Sequence, residues 1–194
     1  MLLARMFQFS YFSLDSFPYI RPQQPVTLNM GMTMSSWYDV YSLNNIDQEQ
    51  DEKGMLESVQ KVNQFIQAEI DAGIPANRIV IGGFSQGCVV SLLTMLKSER
   101  SFAGMIGLSG YLPLHKKISS MASEASKKTP IFWGHGESDE IVAFHLGKMT
   151  NEYLSKAGYQ IEFNAYPGMA HSACNEEIVA MSHFLSNVLP PTDS

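Results

Sequence analysis

The sequence predicts an α/β protein, with a mostly parallel central sheet and helices on both of its faces. Three observations carry this. After about residue 50, short apolar runs of strand length alternate with longer stretches of helical periodicity. The short runs are nearly continuous in apolar character, as strands covered on both faces are. Glycine and proline stand at the ends of the helical stretches, where they stop a helix.

The elements follow in order. Met55, Val59, Val62, Ile66 and Ile70 recur at steps of four and three, which predicts an amphipathic helix ended by Gly73 and Pro75. Residues 78–83 read as a short buried strand. Residues 86–98 are apolar nearly all round, so this helix is expected to be buried. Residues 102–108 and 130–133 are the next two strands. Leu146, Met149 and Tyr153 mark a helix closed by Gly158. Residues 160–166 form a fourth strand, with Ile161, Phe163 and Ala165 on one face. Ile178, Met181, Leu185 and Val188 give a last helix, stopped by Pro190 and Pro191. Near the amino end, residues 6–17 are rich in aromatics, and one further strand and a tail outside the family-like fold are both open there.

Composition narrows the function classes. The 194 residues amount to one domain, and 45% hydrophobic against 16% charged residues describe a globular chain rather than a disordered one. A formal net charge of −6 argues against nucleic acid as a partner. No apolar run approaches the ~18 residues of a membrane span. Cys88 and Cys174 are the two cysteines, without the paired spacing of a zinc site, and Arg5 interrupts any signal-peptide core. A cytoplasmic protein is expected, since oxidised secreted domains use cysteine more heavily.

Gly83-Phe84-Ser85-Gln86-Gly87 fits the pattern G-x-S-x-G. Such a pentapeptide arises by chance in roughly one chain in fifteen of this length, so its weight comes from context. It follows a buried strand and opens a buried helix, where a serine hydroxyl sits exposed on a tight turn. A serine nucleophile needs a base, and the base needs an orienting carboxylate. His171 stands on a loop just past the fourth strand and is the expected base. His183 lies on the last helix, His115 precedes two lysines and reads as solvated, and His145 falls near a helix start. His135 ends the third strand, where support of the site from behind and a purely structural role are both open. Asp139 follows the third strand and is the one aspartate between Ser85 and His171. Glu137 and Glu140 are its competitors, and each also reads as a solvated loop carboxylate.

Taken together, residues 82–87, 135–139 and 168–172 resemble the acyl-protein thioesterase (lysophospholipase-like carboxylesterase) family, as do 21–29, 34–39 and 108–114. The similarity runs in order from about residue 20 to Pro191. It implies a single α/β-hydrolase domain over 1–194, with 1–20 divergent and 21–191 family-like. It also implies hydrolysis of fatty acyl thioesters on protein cysteines, with lysophospholipids and other carboxylic esters as related substrates. By motif position, Ser85 is the nucleophile, Asp139 the acid and His171 the base, and the backbone amide of Gln86 is one oxyanion donor. No metal or organic cofactor is implied, and no membrane span, although transient contact with a membrane surface fits such substrates. Family members begin with a strand leading to a His-Gly-x-Gly-Asp loop that supplies the second oxyanion donor, and no such motif precedes Arg21. The expectation is therefore a fold truncated at the amino end. A relative that binds acyl chains or partners without turnover is the alternative to an active hydrolase.

Overall fold

The structure, a computed structural model, describes residues 12–13 (backbone only), 21–43 and 49–191. Its strands are β1 (Phe12–Ser13), β2 (Gln23–Val26), β3 (Met32–Ser35), β4 (Val80–Phe84), β5 (Gly104–Leu108), β6 (Ile131–Gly136) and β7 (Ile161–Tyr166). The helices are α1 (Glu52–Asp71), α2 (Gln86–Lys97), the single turn α3 (Ile118–Met121), α4 (Phe144–Lys156) and α5 (Asn175–Val188). Five strands form one sheet in the order β1-β4-β5-β6-β7, every neighbouring pair parallel. β2 and β3 form a separate antiparallel hairpin.

The alternation of side chains along each strand divides the core. Ile81, Met105, Ile131 and Trp133 face one side, where Met55, Val59 and Val62 of α1, the apolar body of α2, and Leu146 and Leu154 of α4 bury them. Val80, Ile106 and Phe132 face the other side and meet Phe184 of α5. The rings of Phe132 and Phe184 stand 5.7 Å apart. Helices therefore cover both faces. α2 is buried from Gly87 to Leu96, as its all-round apolar sequence requires. Asp51 caps α1 by accepting the N–H of Gly54, and Gly73 and Gly158 take positive φ just past α1 and α4.

Three apolar positions of these stretches are exposed, two of them by a small displacement of the buried stripe. Met149 is exposed because α4 buries the stripe Leu146, Gly147, Thr150 and Leu154, one residue aside from it. Ile178 is exposed because α5 turns Glu177 and Phe184 inward instead. Ala165 is exposed because β7 is the edge strand, and Ile161 and Phe163 are the residues that pack on the core. Within residues 6–17, Phe12 and Ser13 form a strand beside β4, opposite Ile81 and Gly82. The rest of that run lies outside the described residues. No helix among the described residues is long and apolar enough to cross a membrane.

Candidate active site

The carboxyl ends of β4, β6 and β7 lie on one edge of the sheet, where parallel α/β folds place their ligands. Ser85 follows β4 directly and adopts φ 56° and ψ −119°, a left-handed conformation for a residue with a side chain. Such backbone costs about 1–3 kcal/mol and persists only where its surroundings impose it. Here the Ser85 N–H donates to Leu108 O at 2.9 Å, and α2 begins at the next residue. The two glycines of the pentapeptide are explained by this turn. A Cβ on Gly83 would stand 2.3 Å from the carbonyl carbon of Gly87.

His171 arrives on the loop after β7, and Asp139 on the loop after β6. The two loops are zipped together, with Glu137 N–H donating to Tyr166 O and Ser138 N–H to Met169 O, both at 3.0 Å. A side chain at Gly136 would close that approach, since its Cβ would lie 2.1 Å from Met169 O. The Ser85 hydroxyl lies 3.0 Å from His171 Nε2, and His171 Nδ1–H donates to Asp139 Oδ2 at 2.7 Å. The other carboxylate oxygen of Asp139 accepts the N–H groups of Ile141 and Val142 at 2.9 and 2.8 Å. The Phe84 ring, 4.6 Å from the imidazole, packs against His171. The Asp139 side chain is fully buried, whereas His171 keeps some exposure to the cavity. In this arrangement Ser85 can lose its proton to His171 while Asp139 holds the imidazole tautomer.

The competing residues fall elsewhere. Glu137 and Glu140 are exposed, and neither holds His171. His145 and His183 are exposed on α4 and α5, and His115 is half-buried rather than solvated. His135 is completely buried behind Asp139, its Nε2–H donating to Val142 O at 2.8 Å, and burial lowers its pKa. Cys88 is buried under the sheet edge, with its Sγ against Gly107 and Gly110. Neither cysteine forms a disulfide among the described residues. No group of three or more His, Cys, Asp or Glu among the described residues is placed to hold a metal ion.

Gln86 opens α2, so its backbone N–H is among those without a partner inside the helix. Its side chain does separate work that its place in the pentapeptide does not announce. Oε1 accepts the Trp37 N–H at 3.1 Å, and Nε2 donates to Ser36 Oγ and Tyr38 O at 2.9 and 3.1 Å. This ties the turn after Ser85 to the chain leaving the β2–β3 hairpin. Tyr38 then meets the Tyr111 hydroxyl at 3.3 Å, and burial raises the pKa of both phenols. A cavity of about 600 Å³ opens beside Ser85 and His171, walled by Val26, Leu28, Met34, Val40, Ile141 and Val142. These apolar walls suit a chain of methylenes.

A further residue emerges that sequence reading did not single out. Glu177 of α5 is buried beneath Gly134, with neither carboxyl oxygen hydrogen-bonded among the described residues, and burial pushes its pKa up to about 7. Its signal was present as an acidic residue one position before Ile178, where the apolar stripe had been drawn.

Comparison with known proteins gives the family. Residues 5–189 match the model of the phospholipase/carboxylesterase family. Acyl-protein thioesterase 1 of Cryptococcus neoformans is 43% identical over 196 residues, covering 90% of this chain and 82% of the relative. Acyl-protein thioesterase 1 of Neurospora crassa is 44% identical over 186 residues, covering 91% and 76%. Among solved structures, Arabidopsis thaliana SOBER1 superposes with a TM-score of 0.82 at 37% identity, over 87% of this chain and 80% of that one. Zea mays acyl-protein thioesterase 2 gives 0.74 at 26%, over 87% and 78%. A family match spanning the whole parallel sheet, with relatives this similar over most of both lengths, means that the chain belongs to the phospholipase/carboxylesterase family and is a serine hydrolase of the α/β-hydrolase fold.

Proposed function

We propose that this protein is an acyl-protein thioesterase that removes fatty acyl groups from protein cysteines through an acyl-enzyme on Ser85. His171 takes the Ser85 proton as the hydroxyl attacks the acyl carbonyl, and Asp139 fixes the imidazole and stabilises its charged form. The Gln86 backbone N–H stabilises the oxyanion from the start of α2. The cysteine thiolate leaves and takes up the proton held by His171, which returns the imidazole to its neutral form. Water, activated by His171, then releases the fatty acid from Ser85. The observation that carries this reading is the chain of contacts Ser85–His171–Asp139 at 3.0 and 2.7 Å, opening onto an apolar cavity. The names of the relatives support the substrate class, and they do not favour a relative without turnover. Lysophospholipids present the same acyl carbonyl next to a polar leaving group and are expected as secondary substrates.

The reading extends to a single hydrolase domain over 1–194 in the cytoplasm. It also includes transient contact with membrane surfaces, where acylated substrates reside. Leu28, Met30, Met32 and Met34 of the hairpin are exposed, Met30 at 92%, and Leu28 and Met34 also line the cavity. Replacing Met30 by Asp is expected to weaken co-sedimentation with phosphatidylcholine vesicles; unchanged binding removes the hairpin from this role.

The central test is intact-mass analysis after a fluorophosphonate probe, paired with fatty acid release from an S-palmitoylated peptide. A single adduct and palmitate release, both lost in Ser85→Ala, are expected. A cooperatively folded protein that takes no adduct and releases no palmitate overturns the proposal.

A further inference from the structure

The carboxylate of Asp139 lies between two imidazoles. Its Oδ2 accepts from His171 Nδ1 at 2.7 Å, and the same oxygen stands 3.5 Å from His135 Nε2. His135 Nε2–H donates to Val142 O, and the Val142 N–H in turn donates to Asp139 Oδ1 at 2.8 Å. A closed circuit results: His135 holds the carbonyl of Val142, the amide of Val142 holds Asp139, and Asp139 holds His171.

His135 occupies this place at a cost. The ring is completely buried at the end of β6, and desolvation keeps it neutral. Its one proton belongs on Nε2, where both acceptors lie. Nδ1 has no hydrogen-bond partner among the described residues. It is pressed on α4, where a Cβ on Gly147 would stand 2.4 Å away, and the Phe144 ring meets it edge-on at 5.8 Å. The titratable groups acting on it are Asp139 and His171. A buried nitrogen without a partner costs free energy that an apolar side chain here would not incur. The feature that an apolar residue cannot supply is the Nε2–H facing Val142 O and Asp139 Oδ2.

We propose that His135 is a positioning residue for the acid: through Val142 and the edge of Oδ2, it fixes the carboxylate of Asp139 in the orientation that His171 requires. The inference rests on the reading of Asp139 as the acid of the site. His135 touches no substrate, so its loss falls on the chemical step rather than on binding. It also falls on the protonation of His171, because the imidazolium is stabilised by a carboxylate held in line.

The experiment compares His135→Leu, His135→Gln and Asp139→Asn on a soluble acyl thioester, with full pH profiles of kcat/KM. His135→Leu is expected to lower kcat about ten-fold or more, while KM moves less than about three-fold. Its acid limb, which reports the free enzyme's base, is expected to shift to lower pH. Glutamine presents an amide N–H near the place of Nε2, and is expected to recover most of both effects. Should the leucine variant lack a cooperative melt, asparagine, whose amide falls short of Val142 O, takes its place in the comparison. A folded leucine variant with the wild-type kcat and acid limb overturns the proposal, as does a glutamine variant no better than leucine or asparagine. An inactive Asp139→Asn beside a fully active leucine variant defeats the role of His135 alone. An Asp139→Asn enzyme as active as the wild type defeats the reading of the acid, and the proposal with it.

Discussion

Glu177 makes the stability of this protein depend on pH in a way that can be worked through from its surroundings. The residue is 1% exposed, and its carboxyl oxygens have no hydrogen-bond partner among the described residues. It sits in the first turn of α5, where the helix dipole favours negative charge. Desolvation nevertheless wins and raises its pKa from 4.5 to about 7. The folded state therefore keeps a proton that the unfolded chain releases. This contribution to stability is full below about pH 4.5 and is lost as pH rises towards about 7. At ~1.4 kcal/mol per pH unit, an interval of that size is worth about 3 kcal/mol, and about 2 kcal/mol after relaxation of the site. Glu177→Gln keeps the shape and cannot ionise. Measured by urea unfolding from pH 4.5 to 8.5, the variant's stability relative to wild type should rise by about 2 kcal/mol across that range, or roughly 4–8 °C in Tm. Taking the difference between the two proteins cancels groups common to both. A difference flat to within about 0.5 kcal/mol, or one that grows in favour of wild type, would refute the reasoning, because the carboxylate would then be satisfied when charged.

Three other outcomes are expected. Asp139→Asn should keep the loop but lose the imidazole tautomer, lowering kcat by roughly 10⁴ as in comparable triads; a loss below ten-fold in steady-state thioester hydrolysis would remove Asp139 from the role of acid. Gly83→Ala places a Cβ 2.3 Å from the carbonyl carbon of Gly87, so it should displace the turn at Ser85, abolish probe labelling and lower Tm by several degrees; a labelled enzyme with unchanged Tm would contradict the close approach. Finally, a thiolate leaves more readily than an alkoxide and relies less on oxyanion donors, each worth ~2.7–4 kcal/mol. A palmitoyl thioester should therefore turn over faster than its matched oxygen ester, and the reverse order in parallel assays would count against a thioesterase.

Much of the fold was legible because its signals are local. The apolar runs of β4, β5 and β6 and the all-round apolar α2 report burial on two sides, and glycine or proline follows α1, α4 and α5 closely, as expected. The displaced positions have a common cause. Met149 and Ile178 are apolar residues one step aside from the buried stripe, and at 100° per residue a periodic pattern cannot distinguish adjacent columns until a partner surface is known. Glu177 compounds this, since a carboxyl in the inward column looks on paper like the solvated face of α5.

The site separates in the same way, between residues defined by their own neighbours and residues defined by something far along the chain. Ser85 announced itself through the glycines at either side, and Gly83 is needed because a Cβ there would meet the backbone of Gly87 across the turn. Asp139 and His171 were reachable because each follows a recognisable strand, and the two loops then meet across 32 residues. The work of the Gln86 side chain was out of reach, because its partners Ser36, Trp37 and Tyr38 lie 50, 49 and 48 residues away. No local periodicity encodes such a contact; it follows from the hairpin's being folded down over the start of α2. That contact joins two parts of the cavity lining, Ser36 with Tyr38 and the turn at Ser85 and Gln86. The strained Ser85 backbone is held from below by Leu108 and braced at the next residue through the Gln86 amide. The chain leaving the hairpin is thus connected, by a few hydrogen bonds, to the residue beside the Ser85 hydroxyl.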